Sequence, residues 1–386
     1  MRKDFLPFHK ASIGEKEIGE AVDSLMSGWI TTGPKTKKFE EEFTRRVGAE
    51  YGVAVNSCTA AMHLALAAIG IKEGDEVVVP VMTFTATAEV IAYFKATPIF
   101  VDCDPDTLLM DVGSLEKKIT PKTRAIMPVH YGGQSCDVDA ILEIARRHNL
   151  KVIWDAAHAF PTFYRGKNIG SFPDIVCFSF YATKTLATGE GGMAVTNNKE
   201  YADKMRVLSL HGMNRGAWNR YSKEGSWHYE IVAPGYKYNL TDIASSLGLV
   251  QLSRADELLE KRCRVAQCYS GAFGGRKEIS PLAIMPYGQT AWHLFVVKLN
   301  LGKLIIDRAR FIDELKKRNI GSSVHFIPLH LHPYWKETYG LKENDFPVAS
   351  AVYRQIVSLP IFPDMSDKDV DDVITAVKEI IRLYGK

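Results

Sequence analysis

From Tyr51 to Thr196, short runs of β-branched and aromatic residues alternate with stretches of helical periodicity, and this alternation constrains the fold most. Gly52 to Val55 reads as a strand and Thr59 to Ile69 as a helix. Glu76 to Val79 is the next strand, followed by a helix over Thr85 to Phe94. Strands over Pro98 to Val101, Ala125 to Val129 and Val152 to Trp154 come next, with a helix from Val138 to His148 between the last two. Ile175 to Phe180 and Gly192 to Thr196 close the series, joined by a loop in place of a helix. The pattern predicts an α/β fold whose large domain holds a mostly parallel sheet, covered by helices on both faces. Ligands of such sheets bind at the carboxyl ends of the strands, so polar residues just after strands carry the most weight.

After Thr241 a long helical stretch runs through about Gln267. Trp292 to Leu299 and Ser322 to Phe326 read as strands, Asp307 to Lys317 as a helix, and Asp367 to Tyr384 as a closing amphipathic helix. These elements predict a smaller α+β domain. The expected division is residues 12–250 and 251–386, with residues 1–11 packing against the second unit.

Of the 386 residues, 46% are hydrophobic and 24% charged, and a formal charge of +3 gives no electrostatic footprint for nucleic acid. The start, Met1-Arg2-Lys3-Asp4-Phe5-Leu6-Pro7, lacks the apolar core of a signal peptide, and no apolar run reaches the length of a membrane span. The six cysteines are scattered without zinc-type spacing, which fits a reducing, cytoplasmic setting. Cys263 and Cys268 fall within one helical stretch and read as packing residues.

Three segments carry chemistry. The first pairs Asp155-Ala156-Ala157-His158-Ala159 with Phe178-Ser179-Phe180-Tyr181-Ala182-Thr183-Lys184. A lysine at the carboxyl edge of a sheet is partly desolvated, which favours the neutral amine that attacks an aldehyde. A carboxylate on a neighbouring strand can pair with a protonated pyridine nitrogen and keep that ring an electron sink. Singly, Asp155 could be a helix cap and Lys184 a surface residue. The second segment, Asn56-Ser57-Cys58-Thr59-Ala60-Ala61-Met62, turns from strand to helix and places N–H groups and hydroxyls where a phosphate monoester would sit. Plain N-capping by Ser57 or Thr59 explains the same residues. The third, Thr83-Phe84-Thr85-Ala86-Thr87, sets an aromatic that could stack on a planar ring or simply belong to the core. No Gly-x-Gly-x-x-Gly follows the first strand, which disfavours a dinucleotide fold.

Taken in order, these segments resemble the DegT/DnrJ/EryC1/StrS family of sugar aminotransferases. The likeness extends from Gly28-Trp29-Ile30-Thr31-Thr32-Gly33-Pro34, through Thr188-Gly189-Glu190-Gly191-Gly192 and Pro234-Gly235-Tyr236-Lys237-Tyr238-Asn239-Leu240-Thr241-Asp242, to Leu359-Pro360-Ile361-Phe362-Pro363. The resemblance implies the fold type I (aspartate aminotransferase-like) architecture, with a seven-stranded sheet, and pyridoxal 5′-phosphate (PLP) as cofactor. It implies that Lys184 holds PLP as a Schiff base and shuttles the proton, that Asp155 pairs with the pyridinium, and that His158 lies against the ring. Ser57, Cys58, Thr59 and Ser179 would bracket the phosphate, and Phe84 would stack on the ring. It further implies a homodimer with shared active sites, in which the segment holding Lys237 and Asn239 reaches the neighbouring subunit's phosphate. Many relatives have asparagine at the position of Lys237 and arginine at that of Asn239, so this chain departs from the pattern there. Trp29, Thr31 and His325 are implied on the substrate side.

Within the family the motifs look most like enzymes that aminate C4 of UDP-linked 4-keto sugars, such as those making UDP-4-amino-4-deoxy-L-arabinose. The implied substrates are a nucleotide sugar and glutamate, released as 2-oxoglutarate, in lipopolysaccharide or other polysaccharide biosynthesis. The stretch from Asn214 to Tyr229, rich in Arg, Trp and Tyr, reads as a nucleotide contact or a solvated loop. His325, His330 and His332 lack a carboxylate or cysteine at ligand spacing, so no metal site is expected. Lys184 speaks against a sugar dehydratase of the same family, which replaces the lysine with histidine. Competent residues at every alignable catalytic position speak against a non-catalytic regulatory relative, and no motif places an arginine to clamp a free amino acid's second carboxylate.

Overall fold

A computed structural model describes residues 2–214 and 228–386, so most of the stretch from Asn214 to Tyr229 lies outside the described residues. The strands in chain order are β1 (Tyr51–Val55), β2 (Glu76–Pro80), β3 (Thr97–Val101), β4 (Thr123–Ile126), β5 (Lys151–Ala156), β6 (Phe163–Tyr164) and β7 (Lys167–Asn168). They continue with β8 (Ile175–Ser179), β9 (Gly192–Thr196), β10 (Ile279–Pro281), β11 (Gly288–Gln289), β12 (Phe295–Leu299) and β13 (Ile356–Leu359). Seven of them form the main sheet in the order β1-β9-β8-β5-β4-β2-β3. β9 runs antiparallel to both its neighbours, while β2, β3, β4, β5 and β8 pair in parallel. Val77, Val78, Val79, Ile153, Val176 and Cys177 are fully buried, as expected of strands covered on both faces. The carboxyl ends of β1, β2, β5 and β8 therefore share one edge of the sheet, the edge at which the chain of β9 begins.

Local signals fix the helices on that edge. Ser57 caps the helix Cys58–Ile69 by accepting the Ala60 N–H at 3.1 Å, and Gly70 ends it in the left-handed region. The helix Pro34–Val47 has proline in its first turn and Gly48 beyond its end. Its N-terminus is held from afar by the buried Asp242 carboxylate, which accepts from the backbone of Gly33 (2.8 Å), Lys35 (3.0 Å) and Thr36 (2.9 Å) and from the Thr36 hydroxyl (2.7 Å).

A second hydrophobic cluster surrounds the antiparallel sheet β10-β12-β13 and includes Leu6, Val265, Phe311, Val373 and Val377. The closing helix is Asp367–Tyr384, begun by a capping box between Ser366 and Asp369. Several boundaries differ from the sequence reading. The strand expected to reach Val129 ends at Ile126, two residues before Pro128, which has no N–H for the ladder. The long helix after Thr241 is two helices, Asp242–Ser253 and Ala255–Phe273, broken where Arg254 leaves helical geometry (φ −102°, ψ 5°). Ser322 to Phe326 forms no strand; only Ser323 pairs, with Ser358, and the rest turns toward the main sheet. Cys268, expected to pack, is exposed, whereas Cys263 is partly buried.

Candidate active site

A cavity of about 470 Å³ opens at the shared carboxyl edge. Asp155, the penultimate residue of β5, is 4% exposed, and burial raises its carboxyl's affinity for a proton. Its Oδ2 accepts the Thr87 hydroxyl at 2.7 Å, its Oδ1 accepts the Ala157 N–H at 3.0 Å, and Thr83 bonds Thr87 at 2.7 Å behind them. Lys184 lies on the loop between β8 and β9, in a turn closed by its own N–H donating to the Tyr181 carbonyl at 2.8 Å. Burial lowers its ammonium pKa to about 8, against the opposing pull of Cys58 and Asp155. A lysine so placed offers a substantial fraction of free amine near neutral pH.

His158 completes this wall. The Gly132 N–H donates to its Nδ1 at 3.2 Å, which assigns the ring proton to Nε2. Burial, reinforced by the charges of Lys184 and His325, holds its pKa well below the usual range, so the ring is neutral. It lies between Phe326, stacked at 5.7 Å, and His293 at 4.4 Å.

Opposite lies an anion cradle. Ser57, Cys58 and Thr59, at the N-terminus of the twelve-residue helix after β1, line the cavity together with Ser179, the last residue of β8. Gly192 lets β9 approach this turn, since a Cβ there would come within 2.4 Å of the Ser57 carbonyl carbon and 2.6 Å of the Cys58 nitrogen. The Cys58 thiol is buried and pushed well above its usual pKa, which leaves its backbone N–H as the group it can offer a ligand. Phe84, 59% exposed, lines the same cavity as a free aromatic face. His325 lines it too; burial and the Lys184 charge lower its pKa to about 4.

The chain's own cavity thus gathers Ser57, Cys58, Thr59, Phe84, Asp155, His158, Ser179, Lys184 and His325. It does not gather Trp29, Thr31, Lys237 or Asn239, which form a separate surface cluster beside the end of β1. There Asn239 pairs with Val55 and its side-chain amide donates to the Thr32 hydroxyl at 2.6 Å, while the Lys237 ammonium donates to the Asn239 Oδ1 at 2.5 Å. Trp29 donates to the Thr32 carbonyl at 3.1 Å, and the Thr31 carbonyl accepts from Asp242 at 2.9 Å. Sequence reasoning missed Thr87 and His293. Thr87 stood one helical turn after Thr83 in a segment already singled out, whereas His293 had no local signal. His330 bonds Ser350 at 2.8 Å, His332 caps the helix Pro333–Tyr339, and no group of three or more metal-ligating side chains occurs among the described residues. Among them, no helix is long and apolar enough to cross a membrane.

A buried carboxylate awaiting a cation, a desolvated lysine, a neutral imidazole, an open aromatic face and a helix N-terminus for a phosphate fit PLP. The comparisons with known proteins agree. Spore coat polysaccharide biosynthesis protein SpsC of Bacillus subtilis (strain 168) is 51% identical over 386 residues, covering 99% of this chain and 98% of its own. An uncharacterized protein of Methanocaldococcus jannaschii, MJ1066, is 50% identical over 381 residues, 99% of each chain. Among solved structures, the PMP form of the putative sugar aminotransferase Spr1654 from Streptococcus pneumoniae superposes with a TM-score of 0.92 at 37% identity, covering 98% of this chain and 99% of that one. PseC of Helicobacter pylori, an aminotransferase involved in pseudoaminic acid biosynthesis, gives 0.91 at 26% identity over 99% and 100%. The model of the DegT/DnrJ/EryC1/StrS aminotransferase family matches residues 11–378, and the chain belongs to that family as a PLP-dependent transaminase of fold type I.

Proposed function

We propose that the enzyme transfers the amino group of glutamate to the keto carbon of a nucleotide-linked sugar, with C4 of a UDP-linked 4-keto sugar as the favoured substrate. The observation that carries the reading is Lys184 facing Asp155 across one cavity, its ammonium pKa lowered to about 8. Bound PLP supplies the electron sink that makes the carbon next to the amino group acidic. The residues do the rest. Asp155 would hold the pyridine nitrogen's proton, the helix N-terminus at Ser57–Thr59 and the Ser179 hydroxyl would hold the phosphate, and Phe84 would offer its aromatic face to the ring. The Lys184 amine takes the proton from the donor's α-carbon and returns one to the sugar carbon, a role for which an amine poised near neutral pH is suited.

The sugar class rests on the family and on the names of relatives in spore coat polysaccharide and pseudoaminic acid biosynthesis. The UDP and C4 assignments rest on the likeness of Gly28–Pro34 and Pro234–Asp242 to that branch. We place the enzyme in the cytoplasm, in surface-polysaccharide biosynthesis, as a homodimer of chains divided at about residue 250. Trp29, Thr31, Lys237 and Asn239 are then offered to the partner's cavity. Their gathering on one surface away from their own cavity supports this, as do the exposed Ile18, Val22, Leu25 and Met26 on the neighbouring helix Glu15–Met26.

The test is the visible absorption of the PLP-loaded protein before and after glutamate. Loss of the lysine-linked cofactor's band with release of 2-oxoglutarate is expected, followed by recovery of the band on adding a UDP-4-keto sugar. An unchanged band with glutamate, alongside bleaching by another amino donor, would displace glutamate. Recovery only with a different keto sugar would displace the substrate.

A further inference from the structure

His325 is held from several sides. Its Nδ1 is 2.8 Å from the Oγ of Ser358, a fully buried residue of β13. Its backbone carbonyl accepts the hydroxyl of buried Tyr131. The ring of Phe8 lies over its imidazole at 5.3 Å and 29°, and Phe326 meets it edge-on at 5.2 Å. Phe8 is delivered by the N-terminal segment, which is pinned just before it. The Leu6 N–H donates to the Asn319 carbonyl at 2.8 Å, and the Leu6 carbonyl accepts the Gly321 N–H at 2.8 Å. Gly321 is needed for that approach, because a Cβ there would come within 2.7 Å of the Phe8 nitrogen. Phe8, His325 and Ser358 come from three separate parts of the chain.

An imidazole whose plane is stacked and whose Nδ1 is engaged has one nitrogen left for a ligand. We propose that Phe8 and Ser358 are positioning residues that act through His325, fixing its ring plane and occupying its Nδ1 so that Nε2 alone is presented to the substrate in the cavity. The first residues of the chain are then part of the active site, although none of them lines it. The proposal rests on the cavity being the site of transamination. It is independent of which donor or sugar is used.

The test is a double-mutant cycle in the PLP-loaded enzyme, joined to a spectroscopic readout. Phe8→Ala and Ser358→Ala should each lower kcat/KM for the second substrate roughly 3- to 10-fold, the scale of one aromatic contact or one neutral hydrogen bond. Phe8→Tyr should restore the rate. In a His325→Ala background neither change should lower the rate further, because residues acting through one group are not additive. With ¹⁵N-histidine labelling, the His325 signals, assigned by their loss in His325→Ala, should show the Nδ1 resonance shifted in Ser358→Ala, where the bond to that nitrogen is lost.

Effects that multiply in the His325→Ala background would overturn the proposal. So would an unchanged Nδ1 resonance in Ser358→Ala with thermal stability alone reduced, or a His325→Ala enzyme with wild-type kinetics. If Phe8→Ala does not fold, Ser358→Ala carries the same test alone.

Discussion

Asp155 is destabilising where it is useful. Burial raises its proton affinity, and its protein partners are a hydroxyl and an N–H with no cation at bonding distance. Because the folded chain holds this proton more tightly than the unfolded chain, the carboxyl costs stability as pH rises through the carboxylate range. Asp155→Asn should therefore stabilise the cofactor-free protein by about 1 kcal/mol at neutral pH, with no gain in acid, while abolishing transamination. Thermal melts of both proteins at several pH values check this, and a gain independent of pH would refute the electrostatic cause. The neighbouring lysine titrates in the opposite sense. Its free amine increases as pH rises through about 8 and its attack on PLP should quicken over that interval, then level off. Stopped-flow appearance of the visible band in cofactor-free enzyme follows this directly. Lys184→Ala should still bind PLP noncovalently, seen by equilibrium dialysis, with turnover reduced by at least about 10³-fold.

At the scale of elements, the fold depends on a few close approaches that adjacent residues do not announce. β9 reaches the Ser57–Cys58 turn only because residue 192 is glycine. Gly192→Ala should cost roughly 1–3 kcal/mol through overpacking and weaken PLP binding more than Lys184→Ala does, since it displaces the phosphate cradle itself. Urea denaturation and PLP titration measure the two effects.

The same distinction explains what was legible in the sequence. The seven strands of the main sheet could be read because each is a short apolar run followed by a turn. Asp155, Ser57, Ser179 and Lys184 could be read because strand ends are where ligands bind. The helix Pro34–Val47 went unassigned although its proline start and Gly48 stop were visible signals. Ser322 to Phe326 looked like a strand, but Ser323 alone pairs, with Ser358, while Val324 and Phe326 pack on the first core and His325 and Phe326 both line the cavity. His293 could not be found at all, because its neighbours in space are His158 and Arg262, far off in the chain.

For the whole molecule, four residues implied in substrate or phosphate binding, Trp29, Thr31, Lys237 and Asn239, do not line their own chain's cavity. Among the described residues lining that cavity, Lys184 is the only lysine or arginine, although the cofactor phosphate and the proposed nucleotide diphosphate are anionic. Lys237, oriented by Asn239 and Thr32, is a cation of the right kind held at the surface. A twofold dimer that brings each chain's Lys237 cluster to the other's cavity supplies the missing charge twice, because a twofold interface repeats every contact.

Mixing then becomes diagnostic. Lys184→Ala chains lack the amine but carry an intact cluster, and Lys237→Ala/Asn239→Ala chains have the reverse. Each homodimer should be impaired at both of its sites. Co-expressed with distinguishable tags, or unfolded and refolded together, they should form mixed dimers in which one site is whole. Random pairing should restore up to about one quarter of wild-type activity. If each chain instead supplied every residue of its own site, mixing would restore nothing at any ratio, and the cluster around Lys237 would have to serve something other than the partner's active site.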